Sequence, residues 1–196
     1  MGAFGSAGPG NSAVCATMQA MPRDVIEPAL LTAAQVMQWR GRGEPLPALG
    51  PAVVLTHQPW PRPWTRRRKP SVFSFDYQEV GSGALIIPLV LSIGVGAPGV
   101  AVAVEELAIA GVRQIISLDV AGSLDSRVKS GDAVLVTGAL ATDGTSKLYG
   151  ADPLVEPNSL LAGRLREHLR ERGLPVTEGI VWSTDGIYRE TTTLVS

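Results

Sequence analysis

Gly94-Val95-Gly96-Ala97-Pro98-Gly99 sets three glycines within six residues, between an apolar run and an apolar stretch of helical spacing. Glycine lets a backbone come into contact with a bound group. A helix that opens just after such a turn offers unpaired N–H donors and a partial positive charge. The chemistry this serves is the holding of an anion. Asp119 follows Gly99 by twenty positions and closes the next apolar run. A dinucleotide-binding fold keeps there the acid that grips a ribose 2′-hydroxyl. A tight strand–helix turn with no ligand would use the same glycines, so both options stand at this point.

Periodicity gives the elements that must hold the turn. Residues 84–93 are continuously apolar, as in a strand buried on both faces. Pro98 suits a first helical position, and Val100 to Ala110 is expected as a largely buried helix stopped by Gly111. Val112 to Leu118 reads as a strand, 119–132 as a turn-rich loop and Ala133 to Thr137 as another strand. Asn158 or Ser159 caps a helix to about Arg172, with Leu160, Leu161, Leu165 and Leu169 on one face. Ile180 to Ser183 is the last expected strand. Upstream, Thr32-Ala33-Ala34-Gln35 is a capping box for a short helix over 32–40. Residues 51–56 suggest a strand, and 71–80 an exposed or edge strand. Between them, 57–70 carries four prolines, two tryptophans and five basic residues, and must be loop.

Strands alternating with helices imply an α/β fold, a mixed and mostly parallel sheet flanked by helices. The chain divides into a disordered tail over 1–24, a part over 25–80 with the proline- and arginine-rich loop, and an α/β domain over 81–196.

Composition excludes several classes. The 196 residues carry 17 Lys plus Arg against 18 Asp plus Glu, a net charge of −1, which disfavours a nucleic-acid binder. The single cysteine, Cys15, excludes an intrachain disulfide framework. With His57 and His168 the two histidines, no metal site is expected. The 21 uncharged residues from Ala84 to Val104 match a bilayer in length. Pro88, Gly94, Gly96, Pro98 and Gly99 break that run, so a buried strand, a turn and a buried helix explain it better than a membrane span. No convincing signal peptide opens the chain, and cytoplasm is the expected compartment.

Further pieces lie beyond the turn. Glu106-Leu107 is followed by Ala121-Gly122-Ser123-Leu124, Val128-Lys129-Ser130-Gly131-Asp132, and Asp143-Gly144-Thr145-Ser146 with Tyr149. The last is Trp182-Ser183-Thr184-Asp185-Gly186-Ile187-Tyr188-Arg189-Glu190-Thr191. In order and approximate spacing, residues 94–190 resemble the nucleoside phosphorylase superfamily of uridine and purine nucleoside phosphorylases and related nucleosidases. The resemblance implies a phosphorylase/hydrolase-like fold and pentosyl transfer, the cleavage of a nucleoside N-glycosidic bond with phosphate as co-substrate and no other cofactor. It favours a pyrimidine nucleoside, with a purine as the other option. It also implies nucleotide salvage and a homo-oligomer.

By the same resemblance, Gly94, Val95 and Gly96 border ribose and phosphate, while Ala121 and Gly122 line the base. Tyr188 lies near the base face or serves as an amphipathic core residue. Arg189 contacts a pyrimidine or is a solvated charge, and Asp185 caps or turns its loop. No catalytic residue is assigned. Ser117, Asp119 and Val120 stand where the family has the arginine, glycine and hydroxyl of its phosphate turn, which sets a carboxylate where an anion belongs. The family continues with a ribose-clamping Glu-Met-Glu segment, so the domain is expected to be incomplete at its C-terminal end. Hydrolysis by water and a catalytically silent nucleoside-binding remnant are therefore alternatives, and a nicotinamide-dependent oxidoreductase is the last. Arg66-Arg67-Arg68-Lys69 is an exposed loop or a substitute source of phosphate-binding cations. His168 is expected on a solvated helix face, and His57 is expected to be structural.

Overall fold

The structure, a computed structural model, describes residues 12–18, 29–57, 67–82, 85–91, 93–191 and 193. Nine strands are described: β1 (Ser12–Met18), β2 (Ala52–Leu55), β3 (Arg67–Arg68), β4 (Asp76–Ser82), β5 (Leu85–Leu91), β6 (Gln114–Ala121), β7 (Ala133–Leu140), β8 (Leu154–Val155) and β9 (Val176–Trp182). They form one mixed sheet in the order β3-β4-β5-β2-β6-β1-β7-β8, with β9 paired to β7. The helices are α1 (Ala33–Gly41), α2 (Gly96–Ile109), α3 (Gly144–Leu148) and α4 (Ser159–Glu171).

Strand direction governs where the loops gather. β2 lies between β5 and β6 and is parallel to both. The connection from β5 through α2 to β6 therefore returns the chain to the same starting edge. β1 is antiparallel to β6 and parallel to β7, and β9 is parallel to β7. β7 and β9 thus run against β2, β5 and β6, and their carboxyl ends emerge at the opposite edge.

The core explains the first half of this sheet. Val53 and Leu55 of β2 and Leu89, Val90 and Leu91 of β5 are buried, as continuous apolar character predicts. Val53, Leu55 and Val90 share a core cluster with Ala103 and Leu107 of α2, Met37 of α1, and Phe73 and Phe75, the two rings stacked at 4.6 Å. Each of these Val, Leu, Met and Phe side chains is worth roughly 1.5–3 kcal/mol on burial. The capping box of α1 is present: Gln35 N donates to Thr32 Oγ1 at 3.3 Å, and Thr32 N donates to Gln35 Oε1 at 2.8 Å. Asn158 caps α4 in the expected way, accepting from Leu161 N at 2.9 Å.

Several expectations require correction. Residues 12–18, assigned to a disordered tail, form β1; pairing on both sides outweighs the weak local signal of an Ala- and Ser-rich segment. Residues 71–75 are a turn and bend rather than strand, because Val72, Phe73 and Phe75 pack into the core instead of alternating. α2 starts at Gly96, which makes Pro98 its third residue. β6 and β7 run on to Ala121 and Leu140, and β9 begins at Val176, where Thr177, Glu178 and Gly179 conceal its apolar pattern. Leu160 is exposed; it lies off the stripe of Leu161, Leu165 and Leu169, which are half-buried.

Candidate functional site

β5 delivers the glycine turn to the carboxyl edge of the parallel strands. Gly96 has φ +70°, which suits glycine. A Cβ on Gly99 would stand 2.4 Å from the Gly94 carbonyl carbon, so the turn is closed on itself, backbone against backbone. Contact within the turn is thus enough to require glycine at 99, while a Cβ on Gly94 would press on Gly99 Cα at 3.2 Å. Val95 is the N-cap of α2 and is almost fully exposed, with no side chain capping the helix. The first N–H groups of α2 have no acceptor within the helix.

One strand away, His57 follows two residues after the end of β2 at Leu55, and one strand further β6 carries Asp119. His57 Nδ1 is hydrogen-bonded to Asp119 Oδ2, which also accepts from His57 N at 3.3 Å. Asp119 Oδ1 accepts from Val120 N at 3.0 Å. The carboxylate expected to confront an anion is instead occupied by donors. In a dinucleotide site the acid stands on the strand next to the glycine turn. Here β2 intervenes, placing Asp119 two strand spacings, about 10 Å, from β5. Neither spacing nor composition singled out His57, because its link to Asp119 spans 62 residues and exists only through the order β5-β2-β6.

Ser117 and Val120 are half-buried on β6, and Ala121 and Gly122 are exposed at its end. A Cβ on Gly122 would meet nothing within 4 Å, so this margin is open. The following turn is braced by Arg127, whose hydrogen bonds hold the exposed Asp125 carboxyl at about 2. Arg67 and Arg68 form β3 at the far end of the sheet, paired with Asp76 at 2.5 Å and Glu79 at 3.7 Å. They are three strands from β2, not at the glycine turn; Arg66 lies outside the described residues. His168 is exposed on α4, as expected, 3.9 Å from Glu171. Among the described residues no group of three or more His, Cys, Asp or Glu is arranged to hold a metal ion, and no helix is long and apolar enough to cross a membrane.

The remaining pieces meet at the opposite edge. Asp143 caps α3, accepting from Ser146 N at 2.8 Å and Ser146 Oγ at 2.6 Å. Burial alone would raise the Asp143 carboxyl, but the Ser146 hydrogen bonds and backbone amides outweigh it and hold it below its ordinary value. Asp185 Oδ2 accepts from Gly144 N at 2.8 Å, and Thr142 Oγ1 accepts from Trp182 Nε1 at 2.7 Å while donating to Ser183 O at 2.8 Å. The Asp-Gly-Thr-Ser and Ser-Thr-Asp-Gly pieces thus lock each other. Tyr188 and Arg189 follow in a 3-10 turn, both exposed. Among the described residues no hydrogen bond or ion pair joins this group to the glycine turn, His57 or Asp119.

Tyr149 ties the α3 end to α2. Its hydroxyl donates to Glu105 Oε1 at 2.6 Å, and this bond, then burial and the Glu105 charge, pushes the phenol up to about 12. The bond's stabilisation is complete below the unfolded phenol's value of about 10 and fades as pH rises toward 12. Tyr149→Phe is expected to cost about 1 kcal/mol near pH 8, solvent access keeping it at the low end. The gap from wild type should narrow above about pH 10, read from urea midpoints along a pH series.

Comparison with known proteins adds the following. The family model of the phosphorylase superfamily matches residues 83–196. Guanosine phosphorylase of Halorubrum lacusprofundi is 33% identical over 106 residues, covering 52% of this chain and 42% of that protein. Uridine phosphorylase of Escherichia coli is 34% identical over 103 residues, 51% of this chain and 40% of its own length. The chain therefore spans less than half the length of these relatives. A crystal structure of purine nucleoside phosphorylase from Toxoplasma gondii with immucillin-H superposes with TM-score 0.61 at 21% identity, covering 74% of this chain and 61% of that one. Uridine phosphorylase from Vibrio fischeri gives TM-score 0.61 at 20% identity, with coverage of 74% and 63%. At that identity the superpositions speak to the fold.

Proposed function

Because the chain belongs to the phosphorylase superfamily, we propose that it binds a nucleoside at the carboxyl edge of β5, β2 and β6 and cleaves its N-glycosidic bond. One observation carries this: three adjacent parallel strands deliver the glycine turn, His57 and Asp119 to one edge, where ligands sit in open α/β sheets. The turn's exposed backbone can approach a ribose closely, and the open margin at Ala121 and Gly122 leaves room for a base.

Uridine is the preferred substrate in this proposal, since uridine phosphorylases stand among the curated relatives. Phosphate is the ribosyl acceptor that the family name suggests, and the open first turn of α2 favours an anion. Asp119 works against it. The proposal extends to nucleoside salvage in the cytoplasm and to self-association. Leu140, Leu154 and Ile180 are exposed along β7, β8 and β9 in the single chain.

Incubation with uridine or inosine, followed by chromatography of the free base, tests the central claim. Uracil is expected to appear, and faster than hypoxanthine. Failure to release either base would reject it.

A further inference from the structure

We infer that His57 and Asp119 form a water-activating pair, so that the ribosyl group passes to water. This rests on the proposal that the chain cleaves nucleosides. It goes beyond it by naming the acceptor and the catalytic base.

Three features of the pair carry the inference. An ionised carboxylate can only accept, so the nitrogen facing Asp119, Nδ1, bears the ring proton. The opposite nitrogen, Nε2, is then the basic one, and among the described residues nothing bonds to it. The pair is also reachable: the His57 side chain is 35% exposed and that of Asp119 25%. A histidine serving only the core would be enclosed. Lastly, Asp119 is held from three sides, by the ring, by His57 N and by Val120 N. That fixes the imidazole's tautomer and direction, and the same negative charge repels a phosphate dianion from the edge.

The step balances without any further reactant. As the C1′–N bond breaks, its electron pair leaves with the base and the ribosyl carbon becomes electron-poor. A water oxygen bonds to C1′ while His57 Nε2 takes one of its protons. The departing base gains one proton, and the imidazolium gives its own up, so nucleoside plus water becomes ribose plus free base. His57 acts as general base, and Asp119 is a positioning residue that also stabilises the imidazolium.

The test uses the 196-residue chain with uridine, with and without phosphate, and separates free ribose from ribose 1-phosphate. Release of ribose at a rate indifferent to phosphate is expected. His57→Gln should lose about 10²–10⁴-fold in kcat with KM little changed. Added imidazole should restore part of the rate of His57→Ala, an effect a purely structural role would not give. Asp119→Asn should lower kcat more than it raises KM, and His168→Gln should match wild type. Ribose 1-phosphate as product, formed only with phosphate, would overturn the pair's role and leave nucleoside cleavage standing. So would ribose release undiminished in His57→Gln. Absence of free base under every condition would overturn both.

Discussion

Glu106→Ala is expected to lower the unfolding free energy by about 3–5 kcal/mol, the cost of leaving one member of a buried ion pair alone. Glu106 sits on α2 with 2% of its side chain exposed. Its Oε1 accepts from Arg40 Nη1 at 2.5 Å. Its Oε2 accepts from Ser74 N at 2.7 Å and Ser74 Oγ at 2.9 Å. One carboxylate therefore joins α1, the turn at 71–75 and α2, beside the stacked Phe73 and Phe75. Its removal strands a partly buried guanidinium and takes from the exposed Ser74 the acceptor of its N–H and hydroxyl. Glu106→Gln should be almost as costly, because one end of the amide turns a donor toward other donors. Replacing both charges, Arg40→Met with Glu106→Leu, should recover part of the loss, since a buried pair can give way to apolar packing. Ser74 is exposed, so its freed donors can turn to water and add little to the remaining loss. Urea unfolding of the four proteins decides it. A loss below about 1 kcal/mol in Glu106→Ala would show that the pair does not hold these segments together.

Val14→Pro is expected to cost on the order of 3 kcal/mol or more and to open the sheet at its middle. β1 pairs with β6 along all seven of its residues, Ser12 with Ala121 through Met18 with Ile115, and with β7 from Ala13 to Cys15. Val14 stands opposite Asp119 on one side and Val134 on the other. With partners on both flanks, the lost N–H cannot turn to solvent. β6 and β7 reach each other through β1, so weakening it separates β3-β4-β5-β2-β6 from β7, β8 and β9. Amide hydrogen exchange should accelerate at 115–120 and 133–135 while the β4–β5 pair keeps its protection. Unchanged exchange in β6 and β7 would mean that β1 does not bind the halves together.

Legibility in the sequence followed the physics of each segment. β5, α2 and β6 were readable because a strand buried on both faces, a Pro–Gly turn and a Gly111 stop are local signals. The Thr32 capping box and the Asn158 cap were readable for the same reason. β1 was not, since Ala, Ser and Gly around it carry little local preference and its pairing is entirely long-range. The candidate site was half visible. Spacing marked the glycines and Asp119 but suggested a ribose hydroxyl for the carboxylate, because the residue that occupies it, His57, lies before a proline-rich loop that reads as irregular. The family pieces at 143–146 and 182–186 were recognisable by type. Their mutual bracing needed the strand directions of β7 and β9.

The seating of β1 has a consequence for biosynthesis. Its partners lie about a hundred residues downstream, so it leaves the ribosome long before β6 and β7 exist. At translation rates of about 5–20 residues per second the nascent chain carries an unclaimed strand for roughly 5–20 s. A strand with two open edges is a template for other chains. The molecule's vulnerable interval is thus its own synthesis, and yield in cells should respond more to chaperone supply than to the stability of the finished fold.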